Sequence, residues 1–159
     1  MSAVPQLYSD QFEQTPVRGD LDLAITKSGV IAGVLTSISG AVQTGHVYAG
    51  DRVKLDAAST VPGFVGFVPA ADTDDAIGTV KRLGKKSDFV AGDAIEVAYF
   101  GGPVMWQCAG ATVTPGMQVE MLSGFTQELD TKKLLGINLD YAVQNGMHRV
   151  ILVPAVTLA

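Results

Sequence analysis

Three phrases in this chain share one form. They are YAGDRVKL at 48–55, VAGDAIEV at 90–97 and TPGMQVEM at 114–121. Each places a glycine just ahead of an apolar–polar–apolar triplet. In the first, Val53 and Leu55 fall on one face and Arg52 and Lys54 on the other, which is the two-residue period of a strand. Gly50, Gly92 and Gly116 can supply the positive φ that a tight turn or bulge needs. Asp51 and Asp93 can bond their own backbone and steady it. The charged residues differ between the phrases, whereas the glycine and the alternating apolar pair recur. The repeated unit is therefore a β-corner of a scaffold and not a repeated reactive site.

The remaining chain reads the same way. GVIAGVLTSI, from residue 29, is a continuous apolar run with β-branched residues, as in a strand buried on both faces. GPVMWQC follows a Gly-Gly-Pro turn. LLGINLDYAVQNGMHRVILVPAV reads as strand, Asn-Gly turn, strand, because both turn residues tolerate positive φ. TQELDTKKLL at 126–135 is the nearest approach to a helix and is read as a loop or a single helical turn. Eighteen glycines fall between the apolar runs. The expected fold is all-β, a small β-barrel or β-sandwich with glycine-rich hairpins. It comprises an extended N-terminal arm over residues 1–20 and a single barrel-like domain over 21–159. The arm has no clear period, yet it carries Leu7, Tyr8 and Phe12. These are the expected contacts with a capsid or with a sister subunit.

Composition narrows the function. The net charge of −5 and the lack of a basic face argue against nucleic-acid binding and against an anionic membrane surface. The densest basic stretch, Lys81, Arg82, Lys85 and Lys86, is read as a solvated hairpin loop. The single cysteine, Cys108, excludes an internal disulfide and is read as a buried strand residue. The first residues lack the basic and apolar regions of a secretory signal. The uncharged stretch from Ser28 to Gly50 is broken by five glycines and reads as strands rather than a membrane span. A hydrophobic share of 47%, with a mean hydropathy of +0.28, implies that other chains cover part of the surface.

No enzyme signature is present, and no cofactor or metal site is expected. Asp72, Asp74 and Asp75 lack the glycine and the later glutamate of a calcium loop. His46 and His148 lack metal-ligand spacing. Trp106 is read as a packing residue.

The C-terminal stretch carries the cadence G-x-x-L-D-x-A-x-x-x-G-x-x-x-V-x-L, from Gly136 to Leu152. Before it, residues 91–121 pair a Gly-Asp hairpin, a Gly-Gly turn, a strand and an A-x-V-T-x-G turn. In motif order over roughly residues 28–156, the chain resembles the structural cement, or capsid decoration, proteins of tailed bacteriophages. The resemblance implies a small β protein on the virion exterior. It would be folded in the host bacterial cytoplasm, bind the major capsid protein and itself as a dimer or trimer, and clamp neighbouring capsid subunits without catalysis. Two other readings stay open. One is a carbohydrate-binding or other ligand-binding β-module on the virion surface. The second is a translation-factor-like barrel, after the G-H-V-Y-A-G-D-R-V phrase.

Overall fold

A computed structural model describes residues 16–22, 29–43, 45–59 and 61–153, and these contain strands and turns with no helix. The strands are β1 (Val30–Leu35), β2 (Val47–Tyr48), β3 (Arg52–Leu55), β4 (Gly66–Pro69), β5 (Gly78–Val80), β6 (Asp88–Phe89), β7 (Ala94–Tyr99), β8 (Val104–Cys108), β9 (Gln118–Leu122), β10 (Phe125–Glu128), β11 (Leu134–Asn138) and β12 (Met147–Leu152). The fold is thus all-β, as the glycine-punctuated alternation requires.

The first half closes on itself. Strands β1, β4, β3, β5 and β7 form a closed barrel in that order, with β7 pairing back to β1. Only the β1–β4 pair is parallel. Leu35, Val53, Phe67, Val80, Ile95 and Val97 fill its interior together with Val47 and Phe89 of the small β2–β6 ladder. The second half is a five-stranded sheet in the order β10-β9-β11-β12-β8. Its ends nearly meet, because Ala109 bridges Thr126 and the Gly110 N–H donates to the Thr126 carbonyl at 2.7 Å. This sheet curls around Met105, Val119, Met121, Leu135, Val150 and Leu152, which are joined by Ala98 and Phe100 from the end of the barrel.

The three repeated phrases are one turn, used three times. The N–H of Asp51, Asp93 and Met117 reaches back to the carbonyl of Tyr48, Val90 and Thr114 at 2.9, 3.1 and 3.2 Å. The glycine before each has φ of 95°, 95° and 85°, as the third position of a type II turn demands. Asp51 and Asp93 also accept from the amides of Tyr48 and Val90 at 2.8 and 2.9 Å. A fourth copy occupies Val17–Asp20, with Gly19 at φ 89° and the Asp20 carboxylate accepting from the Val17 amide at 3.0 Å.

Several expectations need correction. β1 is not buried on both faces: Leu35 is enclosed, Ala32 is exposed and the rest are half-buried. A five-stranded barrel takes one face of each strand inside, and the described chain supplies no second layer over β1. TQELDTKKLL is neither a loop nor a helical turn throughout; its ends belong to β10 and β11, and only the centre is a loop. The buried Glu120 holds that centre by accepting from the amides of Asp130 and Lys132 at 3.0 and 2.6 Å. The Asn-Gly pair does not join β11 to β12 directly. An eight-residue connection, 139–146, intervenes, and of the pair only Asn145 has positive φ, at 67°. Cys108 does lie on β8, but it is half-buried.

The two halves meet along a seam built by residues 17–22. This segment runs antiparallel to β8. The Gly19 N–H donates to the Trp106 carbonyl at 2.9 Å, the Trp106 N–H to the Asp20 carbonyl at 2.8 Å and the Asp22 N–H to the Val104 carbonyl at 2.9 Å. Its other side belongs to the barrel, because the Arg82 N–H donates to the Gly19 carbonyl at 3.0 Å. Arg18 reaches both halves: it pairs with Asp51 of the barrel at 2.8 Å and donates to Gln107 of β8 at 3.0 Å. Gln107 in turn donates to the Gly50 carbonyl at 3.2 Å. A Cβ on Gly19 would lie 2.5 Å from that of Ala49, so the segment fits only with glycine there.

Replacing Arg18 leaves Asp51 largely buried without its partner. Arg18→Ala is expected to lower unfolding free energy by about 2–3 kcal/mol. Arg18→Lys restores the charge but not the forked donors, and should recover part of the loss. Urea denaturation checks both; an unchanged midpoint for Arg18→Ala would contradict the role given to the seam.

Candidate interaction surface

The chemistry-bearing side chains are mostly tied up inside the fold. His148 of β12 is fully buried. Its Nδ1–H donates to Asn138 Oδ1 at 2.7 Å, and its Nε2 meets the Thr126 hydroxyl. Asn138 is oriented by donating to the Thr114 and Asp140 carbonyls at 2.8 and 2.6 Å. The imidazole is therefore neutral and locks β10, β11 and β12 together. Burial pushes its pKa down to about 4, although Asp140 acts in the opposite sense. His46 sits apart on the surface, paired with Asp88 at 2.8 Å and stacked on Tyr48. Among the described residues, no three His, Cys, Asp or Glu side chains gather as a metal-holding group.

The acidic run 72–75 is more than a solvated loop. It wraps Arg52, which is only 3% exposed and donates to the Ala71 and Asp74 carbonyls at 2.7 and 2.6 Å. Burial lowers the Arg52 pKa, and Asp72, Asp74 and Asp75 offset that effect. Asp74 also holds Lys54 at 3.1 Å, Asp75 holds Lys133 at 3.0 Å, and Asp72 accepts from the Ser123 amide at 3.1 Å. The loop thus ties the barrel to the second sheet. The basic stretch is likewise paired: Lys81 with Glu96, Arg82 with Asp20 and Lys86 with Asp93, at 3.1, 3.4 and 3.0 Å. Trp106 is half-buried, with the Arg149 guanidinium 5.6 Å above its ring. That guanidinium is clamped by Asp140 and Asp22, which raise its pKa.

What faces outward is apolar at one end of the barrel. The strand registers bring the ends of β1, β3, β4 and β7 together there: Leu35 and Leu55 both pair with Phe67, and Val34 pairs with both Gly66 and Ala94. From this end project Leu55, Val61, Phe64 and Val90, at 51, 62, 41 and 45% exposure. Val61–Phe64 is a Val-Pro-Gly-Phe turn, closed by the Phe64 N–H on the Val61 carbonyl at 3.2 Å with Gly63 at φ 77°. Proline and glycine stiffen it, so the two apolar side chains are held out rather than collapsed. Beside it runs an open groove of about 610 Å³, lined by the segment 36–41 with Gly45 and Ala91.

The sequence pointed to Leu7, Tyr8 and Phe12 as contact residues; all three lie outside the described residues. It did not single out Leu55, Val61 or Phe64. The available signal was the absence of charge from 57 to 71 around a Pro-Gly pair.

No protein-family model matches the chain, and no curated protein matches it. Among solved structures it is similar to the N base of head fiber gp8.5 in bacteriophage phi29, at 14% identity and a TM-score of 0.49. The match covers 80% of this chain and 98% of that one.

The neutral His148 generates a pH test. An unfolded histidine titrates near 6.5 and the folded one near 4, so between these values the unfolded chain binds more protons. The contribution is complete above about pH 6.5 and is lost as pH falls towards 4. Unfolding free energy should drop by about 2 kcal/mol from pH 7 to pH 5. His148→Gln, measured over the same range, should flatten that slope; an equal slope in the variant would contradict the assignment.

Proposed function

We propose that this protein is a virion structural protein that binds the outer surface of a phage capsid and cements neighbouring major capsid subunits. The observation that carries the reading is the contrast between interior and exterior. His148, Arg18, Arg52, Glu120 and Arg149 are each tied to scaffold partners, whereas the open end of the barrel presents a stiff, apolar, uncharged surface. A cement protein needs such a rigid body and many weak contacts that add across a repeating shell.

The cadence behind the resemblance also acquires physical content. Its aspartate, Asp140, grips Arg149; Ala142 bridges Val113; Val150 and Leu152 are core residues. The motif therefore marks a way of building the second sheet, and a protein that shares it shares that sheet.

The direct test is the particle. Purified heads should contain this polypeptide in regular stoichiometry by mass spectrometry. Heads made without it should release DNA at a lower temperature, and the added protein should restore retention. Heads that lack the polypeptide and fail to bind it would overturn the reading. The arm is tested by deleting residues 1–15 and no further, because Arg18 belongs to the seam. Weaker head binding with an unchanged melting temperature is expected, and undiminished binding would remove the arm from the interface.

A further inference from the structure

The open end of the barrel has a second property besides being apolar: it carries almost no free charge. Residues 36–46 and 57–71 contain no Asp, Glu, Lys or Arg. The charged groups that border this end are engaged locally. Lys86 pairs with Asp93 at 3.0 Å, and Asp56 accepts from the Thr36 hydroxyl at 2.8 Å. The groove itself is lined by Thr36, Ser37, Ile38, Ser39 and small residues, with no ionisable side chain.

We propose that this end is where copies of the chain meet, with the Val61–Phe64 turn of one copy seated in the groove between Ile38 and Ala91 of a second. A chain of net charge −5 repels its own copies wherever unpaired carboxylates face each other within a Debye length, about 8 Å at physiological salt. The charge-free end escapes that repulsion, which singles out a second copy over partners that a charged face could attract. Shape agrees with charge. The knob is a valine and a phenylalanine held out on a Pro-Gly turn, and the groove is walled by residues too small to fill it. Knob and groove sit side by side on the same end of one barrel. The contact is therefore heterologous, and repeating it about an axis through that end closes a ring. Burying aromatic and aliphatic side chains in a desolvated pocket is the usual source of interface affinity. The inference does not depend on the capsid reading, and its test needs no capsid.

Sedimentation equilibrium and native mass spectrometry on the full chain decide it. The wild-type chain is expected as a closed oligomer at micromolar concentration. The double variant Val61→Ser/Phe64→Ser should dissociate at least tenfold more readily while keeping its melting temperature, because both residues are exposed. Should that variant misfold, Ser39→Lys on the groove side gives an independent reading and should also weaken association. Val61→Glu and Ser39→Lys chains, each dissociated alone, should associate when mixed. Leu122→Ser, on the hairpin of the other sheet, should change nothing. A wild-type chain that stays monomeric at the highest concentration would overturn the proposal. So would association unaffected by the groove and knob variants, or a mixture of the two charged variants that stays dissociated.

Discussion

Arg18 is the residue on which the rest of the structure depends. Its guanidinium sits between a barrel and a sheet that have separate hydrophobic cores, and it bonds to both. The apolar contact across the junction is limited to Ala98 and Phe100 entering the second core. Polar bonds therefore fix the angle between the halves. A forked donor suits this task, because its donors point in fixed directions and resist rotation in a way that packed methyl groups do not. Gln107 and the acidic loop around Arg52 add two further ties, so the junction is held at separated points.

This arrangement explains why so many charged side chains in a small acidic chain face inward or sideways. Arg149 with Asp140 and Asp22, Glu120 with the 129–133 loop, and Arg82 with Asp20 each stabilise a connection rather than a strand. The strands assemble through alternation, and the loops between them need partners that alternation cannot supply. With the charges engaged in this way, the far end of the barrel is left free to be uncharged and apolar.

The strand content was legible because glycine and period-two alternation are local signals. YAGDRVKL and its two relatives became turn and strand as read, and the Asp51 and Asp93 caps were foreseeable from the turn alone. The closure of the barrel was not legible, since it rests on the long-range pairing of β1 with β4 and β7. Nor was the seam. VRGD at 17–20 is the same turn as AGD at 49–51, but it was assigned to an arm because the residues before it lack a period. The acidic run 72–75 read as solvated because its partner, Arg52, is twenty residues earlier. For the interaction surface, the uncharged stretches were visible, but their convergence on one end required the register of four strands.

The central claim is that the Arg18 seam makes two cores into one cooperative body. Native-state hydrogen exchange measures this most directly, through the amides of Val53 and Val97 in the barrel and Val119 and Val150 in the second sheet. All four should exchange through the same global opening, with equal free energies and equal denaturant dependence. Barrel amides that open at a distinctly lower free energy than those of the second sheet, or the reverse, would contradict it.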